Sequence, residues 1–376
     1  MKYFILSGEA SGDLHSAALA TALKVYDPDA EIHGWGGDEM QKAGVKILKH
    51  YRDLAFMGFV EVLQHLPEIM RNFRQVKEQI ISFKPDVLIL TDYPGFNLRM
   101  AKWAHKQGIP VHYYISPQLW AWKESRMKIV RKYVDQMYVI LPFEKDFYAK
   151  HGVDVRYVGH PLAWRIDHML KQKPERDLNK NENQNENRKR ITLLPGSRRR
   201  EIAFMLPVML ESVRHLQGYE ITVAGAPSIP PEYYYDFIRK SSLTGMTLAF
   251  GYTYDLLRRS FAAICTSGTA TLETALFNVP QVVCYKGDIL SYLIARRLVK
   301  VPFIAMVNLI CEKQVVPELI QHDFNPTRLQ EELQSILTPE RRKTILADYD
   351  LLRRRLDTGD PAKNVAEHIV STLKQS

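Results

Sequence analysis

Short apolar runs alternate with longer amphipathic stretches from the first residues onward. YFIL (3–6), EIHGWG (31–36), VLILTD (87–92), VHYYIS (111–116), QMYVILP (136–142) and VRYVG (155–159) have the length and the bounding turns of strands. Between them, LHSAALATALKVY (14–26), LPEIMRNFRQVKEQIISF (66–83) and NLRMAKWAHKQG (97–108) repeat apolar positions at helical spacing. The last of these stops at Gly108 and Pro110, a helix-ending pair. Strand and helix in regular succession predict βαβ units around a parallel sheet.

The pattern breaks between Gln172 and Arg190, where Leu178 is the only large aliphatic residue in a run of Asn, Glu, Lys and Arg. Such a segment buries no core and reads as a flexible polar linker or surface insertion. Alternation then resumes with RITLLPGS (190–197), YEITVAG (219–225), TLAFG (247–251), AAICTSG (262–268) and PQVVCYKG (280–287) as strands. The chain ends in helical periodicity, broken near Pro339 and at DTGDP (357–361). The expected architecture is α/β: two doubly wound domains facing a cleft, with a helical C-terminus. Boundaries are expected at 1–168 for the first domain, 169–190 for the linker, 191–340 for the second domain and 341–376 for the terminal helices.

At 376 residues with 46% apolar content, two cores are affordable, and 25% charged residues is a globular proportion. The net charge of +9 points to anionic partners: nucleic acid, an acidic membrane surface or phosphorylated small molecules. Three cysteines with no C-x-x-C pair indicate neither a disulfide framework nor a structural metal, and fit a reducing compartment. The twelve histidines form no HExxH, so no metal site is inferred. The apolar run at the N-terminus meets Gly8 and Glu9 too soon for a signal segment, and no stretch is long enough to span a bilayer.

Doubly wound sheets bind ligands at the carboxyl ends of their strands, so the residues just after each strand carry the chemistry. LSGEASGDLH is a strand, a small-residue turn and a helix beginning near Asp13; its G-x-x-x-G spacing lacks the dinucleotide fingerprint. A plain capped βα turn reads the same way. LLPGSRRREI opens the second domain with Gly196 and Ser197 followed by Arg198, Arg199 and Arg200 at a helix start, where cations are unfavourable unless an anion binds. In CTSGTATLETAL, Ser267, Gly268 and Thr269 form a second turn suited to phosphate, and Glu273 on the following helix can accept from both hydroxyls of a ribose. Ser and Thr are also ordinary helix caps. Ser116, Pro117 and Gln118 end another strand before Trp120 and Trp122, indoles that line sugar or acyl sites or simply pack. No G-x-S-x-G elbow and no nucleic-acid module is present.

Taken together and in order, SGEASGD, MGFVEVL, TDYPGFN, SPQLWAW, LPFEKDFY, VGHPL, LLPGSRRREI, SGTATLE and RRLVK resemble the lipid-A-disaccharide synthases. The resemblance covers about Lys2 to Pro326. It implies a GT-B fold, two Rossmann-like domains around a cleft, and no metal or other cofactor. The implied reaction joins UDP-2,3-diacylglucosamine to 2,3-diacylglucosamine 1-phosphate, giving a β-1,6-linked tetraacyl disaccharide 1-phosphate and UDP. Matched by motif, the family's essential strand-end aspartate falls on Asp92, its phosphate-contacting arginine on Arg198, a cleft asparagine on Asn308 and the acid of GEASGD on Glu9. Many relatives carry a second acid where this chain has Gly95, which leaves Asp92 as the candidate general base. The resemblance also implies a cytoplasmic enzyme attached peripherally to the anionic inner-membrane surface, no nucleic-acid partner, and a homodimer as a state the family can adopt.

Acylated substrates give two apolar stretches a second meaning besides core packing. MGFVEVLQHL puts Met57, Val60 and Leu63 near one helical stripe with Phe59 beside it, and LSYLIARRLVK sets Leu293 among Arg296 and Arg297. Both compositions suit an acidic lipid interface. Two other readings compete for the chain: another UDP-sugar enzyme of the same fold, such as an epimerase or a peptidoglycan-type transferase, and a basic nucleic-acid-binding protein.

Overall fold

The computed structural model describes residues 1–54, 66–121, 124–172, 189–241, 243–288, 292, 297 and 301–375. The chain divides into two compact units, Met1–Trp164 with Thr358–Ser376, and Arg165–Asp357. The first division falls inside the helix Pro161–Gln172 and the second just after the helix Pro339–Leu356. Residues 173–188 of the expected linker lie outside the described residues.

The first unit holds β1 (Lys2–Ser7), β2 (Glu31–Gly36), β3 (Lys46–His50), β4 (Val87–Thr91), β5 (Val111–Tyr114), β6 (Gln136–Val139) and β7 (Arg156–Tyr157). They pair in parallel in the order β3-β2-β1-β4-β5-β6-β7. β1 and β4 are buried on both faces, which is why their sequences are continuous apolar runs. Alternate side chains feed opposite layers: Phe4, Leu6, Leu88 and Leu90 join one core, Tyr3, Ile5, Val87 and Ile89 the other.

The second core is closed by the chain's last helix, Pro361–Gln375. Ala362, Val365, Ala366, Ile369 and Val370 recur at helical spacing and pack with Ala17, Ala20 and Leu23 of the helix Ala10–Tyr26. His368 on this helix shares the Tyr138 hydroxyl with the buried His112, at 3.0 and 3.2 Å.

The second unit holds β8 (Lys189–Leu194), β9 (Tyr219–Gly225), β10 (Thr247–Phe250), β11 (Ser260–Thr266), β12 (Gln281–Tyr285) and β13 (Glu318–Ile320), parallel in the order β10-β9-β8-β11-β12-β13. Helices at Pro326–Leu337 and Pro339–Leu356 follow, parted at Thr338–Pro339 where the sequence predicts a break. Two strands escape the sequence pattern, β3 and β13. Both are sheet edges, paired on one side only, and KILKH and ELI are too polar or too short to register as apolar runs.

The first helix corrects one expectation. It begins at Ala10, with Glu9 as its extended N-cap, so Asp13 lies inside the first turn rather than at the start. The buried Asp13 carboxylate instead accepts from the backbone N–H groups of Gly37 at 2.7 Å, Glu39 at 3.0 Å and Met40 at 3.1 Å, capping the short helix Asp38–Lys42. Asp13→Ala leaves those donors buried without an acceptor and is expected to destabilise the protein by about 2 kcal/mol. Thermal unfolding checks this; a melting temperature unchanged from that of the parent chain would show that water replaces the carboxylate.

Candidate active site

In the first unit the chain order reverses between β1 and β4, the position at which doubly wound sheets open a crevice. Ser7 pairs with Thr91, so Gly8–Glu9 and Asp92 leave the sheet at the same level. Ser16 on the first helix ties both strand ends together, its hydroxyl 2.8 Å from Thr91 Oγ1 and 3.4 Å from Ser7 Oγ.

Asp92 and Tyr93 both adopt left-handed backbone conformations, with φ of 45° and 47°. Non-glycine residues in this region are strained and persist only where their surroundings hold them. Here the Asp92 N–H donates to the Tyr114 carbonyl at 3.1 Å, and the Asp92 carbonyl accepts from Asn97 Nδ2 at 2.8 Å and Tyr113 Oη at 2.5 Å. The Tyr93 ring lies so close over Gly8 that a Cβ there would come within 2.4 Å of it, and it stacks on Phe96 at 5.8 Å. Only glycine fits beneath that ring.

The half-buried Asp92 carboxyl is raised to about 6, first by loss of hydration and then by the negative charge of Glu9, against a hydrogen bond from the Tyr93 N–H. Glu9 itself is exposed. Gly95, the second residue of the helix Pro94–Lys106, is exposed, and a Cβ there would meet nothing within 4 Å. Packing does not demand glycine at 95; the turn simply carries one acid.

One strand over, Ile115 is also left-handed, with φ of 64°. Ser116 and Trp120 turn inward, both donating to Glu144 Oε1, the indole at 3.2 Å, while Glu144 Oε2 accepts from the N–H groups of Ile140 at 3.2 Å and Leu141 at 3.0 Å. Burial pushes Glu144 up to about 7 despite these donors. The polar tips of Ser116 and Trp120 are therefore spent on the protein, and Trp122 lies outside the described residues. Sequence reasoning missed Glu144. Its signal is an acid at the third position of a helix after a strand, the place of a capping-box glutamate.

The second unit reverses its chain order between β8 and β11, and both turns singled out from the sequence end these two strands. After β8, Gly196 takes φ of 110°, and Arg198 is the N-cap of the helix Arg199–Val213. Glu201 Oε2 accepts from the N–H groups of Ser197 at 3.2 Å and Arg198 at 3.3 Å, so a carboxylate already holds the place of an anion at this helix start. A Cβ on Gly196 would sit 2.8 Å from that oxygen. The three arginines separate by environment. All three are exposed; Arg199 lies over the Tyr233 ring at 5.1 Å and Arg200 pairs with Asp288 at 3.1 Å, whereas Arg198 stays beside the turn, 3.5 Å from Glu201.

After β11, Gly268 caps the helix Thr269–Leu276 without side-chain help, and the turn is open: a Cβ on Gly268 meets nothing within 4 Å. Thr269, Ala270 and Glu273 share the face of this helix that is not buried, three and four residues apart. Glu273 Oε1 accepts from Tyr254 Oη at 2.6 Å. Ser267 donates through its hydroxyl to the Ile304 carbonyl at 3.2 Å, which turns it from ligand toward loop.

Asn308 requires a correction. It is fully buried, its Nδ2 donates to the Val316 carbonyl and Glu318 Oε1 at 2.9 and 2.8 Å, and its Oδ1 accepts from the Val315 and Val316 N–H groups at 2.8 and 3.0 Å. Glu318 in turn holds the N–H groups of Ile304 and Ala305 at 2.9 Å. The asparagine has no hydrogen-bonding capacity left for a substrate and instead staples the segment on which Ser267 leans. Among the membrane candidates, Met57, Phe59, Val60, Leu63, Leu293 and Arg296 lie outside the described residues, and Arg297 is exposed. Among the described residues no helix is long and apolar enough to cross a membrane.

Comparison with known proteins bears on the whole chain. Among solved structures, a putative UDP-N-acetylglucosamine 2-epimerase from Listeria monocytogenes aligns with a TM-score of 0.67 at 13% identity, covering 100% of this chain and 97% of that one. The UDP-GlcNAc 2-epimerase from Neisseria meningitidis bound to UDP-GlcNAc aligns with a TM-score of 0.64 at 13% identity, covering both chains fully. Such distant likeness speaks for the fold alone, the GT-B arrangement of two Rossmann-like units. In sequence, the chain is 40% identical to the lipid-A-disaccharide synthase of Syntrophus aciditrophicus, over 99% of this chain and 98% of the relative. It is also 40% identical to that of Nitrosococcus oceani, over 98% and 96%. The model of the family described as lipid-A-disaccharide synthetase matches residues 3–369, and the chain belongs to that family.

Proposed function

We propose that this protein is an inverting glycosyltransferase that joins UDP-2,3-diacylglucosamine to 2,3-diacylglucosamine 1-phosphate, releasing UDP. The observation that carries the reading is the strained Asp92 carboxyl at the β1–β4 switch point, raised to about 6 beside Glu9. A base for a sugar hydroxyl works best with a pKa near the working pH and with its position fixed in advance.

In the proposed step the acceptor 6-hydroxyl oxygen bonds to the donor C1 as its proton passes to Asp92. The bond from C1 to the UDP oxygen breaks on the opposite face, and UDP leaves with the electron pair. The leaving diphosphate gains charge, and the backbone N–H groups around Gly196, Ser197 and Arg198, the Arg198 guanidinium and the open Gly268–Thr269 turn supply donors for it. Glu201 now occupies the first of these turns, so the diphosphate displaces that carboxylate as it enters. Glu273, half-buried on its helix, takes the ribose hydroxyls. The reading also puts the protein at the cytoplasmic face of the inner membrane as a peripheral enzyme. Its net charge of +9 and two acylated anionic substrates support that surface.

The direct test is mass spectrometry of the product formed from the two diacylglucosamine substrates. UDP release that requires the acylated acceptor supports transfer, whereas release or epimerisation with the donor alone points to an epimerase-type enzyme. Asp92→Asn is expected to keep UDP binding and lose turnover by about a hundredfold or more. The ionised form of Asp92 is the active one, so kcat/KM should rise with pH and level off above about 6. Glu9→Gln removes a like charge that raises Asp92, and the rising limb should therefore move to lower pH; a limb that stays put would mean that Glu9 does not reach the base. Arg198→Ala should weaken UDP binding roughly tenfold to a hundredfold, the scale of a lost hydrogen bond to a charged group, and lower the rate as well. Unchanged UDP titrations would reduce that arginine to a surface charge.

A further inference from the structure

The Glu273 carboxylate does not stand alone. Tyr254, at the start of the short helix Thr253–Arg258 that leads from β10 into β11, donates its hydroxyl proton to Glu273 Oε1 at 2.6 Å. The same hydroxyl accepts from Arg165 Nη2 at 2.8 Å, and the Arg165 guanidinium lies 6.0 Å from the centre of the Tyr254 ring. The ring also packs against Phe277, with centroids 5.2 Å apart. Three residues from three different helices thus form one chain, Arg165 to Tyr254 to Glu273.

We infer that Tyr254 is a positioning residue for nucleotide recognition: by holding Glu273 Oε1 it fixes the carboxylate plane in which a ribose 2′- and 3′-hydroxyl pair is read. The inference rests on the assignment of Glu273 to the ribose. A half-buried glutamate has three rotatable side-chain bonds, and freezing them before the nucleotide arrives removes an entropic cost from binding. The bond to Tyr254 does not saturate the carboxylate. Each oxygen has two acceptor sites, so Oε1 keeps one and Oε2 both, enough for two sugar hydroxyls. Arg165 polarises the phenol by donating to its oxygen, which strengthens the bond that the phenol donates onward.

This arrangement makes Tyr254 a determinant of discrimination between ribose and 2′-deoxyribose. A fixed carboxylate left facing a missing hydroxyl rejects the deoxy nucleotide, whereas a loose one turns to water. The signature belongs to the sugar and not to the diphosphate, so it separates Tyr254 from the phosphate turns.

The experiment measures binding of UDP and of 2′-deoxy-UDP to the full chain, with donor kinetics alongside. Tyr254→Phe keeps the ring contact with Phe277 and removes only the hydroxyl. It is expected to cut the preference for UDP over 2′-deoxy-UDP about tenfold, the scale of one hydrogen bond to a charged group, and to raise the donor KM while kcat changes little. Arg165→Met, one bond further from the carboxylate, should lower the same preference to a smaller degree. In a Glu273→Ala background, Tyr254→Phe should cost nothing more. Full preference retained by Tyr254→Phe, with Glu273→Ala losing it, overturns the role of Tyr254 and leaves the ribose assignment standing. Preference retained by Glu273→Ala overturns both.

Discussion

The carbonyl oxygen of Asp92 receives two hydrogen bonds, from Asn97 Nδ2 at 2.8 Å and Tyr113 Oη at 2.5 Å, and the geometry of the first unit's strand ends follows from them. Two consecutive left-handed residues other than glycine cost roughly 1–3 kcal/mol each. Buried hydrogen bonds contribute about 1 kcal/mol apiece, so the carbonyl alone does not balance that strain. The Asp92 N–H bond to the Tyr114 carbonyl and the packing of the Tyr93 ring on Gly8 and Phe96 also hold the turn. The acid is thereby held where its side chain loses water, and that loss is the leading reason its pKa rises. Strain, burial and raised pKa are three aspects of one turn.

The two units share a topology and differ in electrostatics. In the first, the strand ends at the reversal of chain order present two carboxylates, Asp92 and Glu9, and repulsion between them favours the protonated form of the more buried one. In the second, the strand ends present helix starts with the cation Arg198, and the nearby carboxylate Glu201 turns back onto backbone N–H groups. In the proposed reaction the first of these sites takes up a proton and the second an anion. The internal bond of Glu201 resolves a difficulty in the sequence, where cations crowd the positive end of a helix: a carboxylate of the same turn faces those N–H groups.

What could be read from the sequence was what depends on local pattern. VLIL and YFIL announce buried central strands because both faces of those strands meet apolar layers, and the turns after 194 and 266 announce themselves by small residues before a helix. What could not be read depends on partners far along the chain. Asp13 looks like a helix start until Gly37, Glu39 and Met40 are brought against it. Glu144 looks like one more surface acid, although it anchors Ser116 and Trp120. Three adjacent arginines are equivalent as letters, and only the Tyr233 ring and Asp288 separate Arg199 and Arg200 from Arg198. Asn308 is the sharpest case. Motif matching singles it out as a substrate contact, but its four hydrogen bonds all go to the protein, and those partners lie outside the motif itself.

Gly95 bears on how far a single carboxylate can serve as the base in the proposed reaction. A second acid in that turn would raise Asp92 further by like charge and offer an alternative proton acceptor; here the space for such a side chain is open and unfilled. The upward shift of Asp92 therefore rests mainly on burial, with Glu9 as the named charge. A base tuned by burial is sensitive to hydration. An acceptor sugar that excludes water from the carboxylate would raise its proton affinity at the moment a proton is to be removed, and a charge-tuned pair would respond less. With one acid in the turn, the proposed proton transfer is thus coupled to how completely the acceptor covers Asp92, and the hydrogen bonds to the Asp92 carbonyl and the packed Tyr93 ring keep the strained turn in place to be covered.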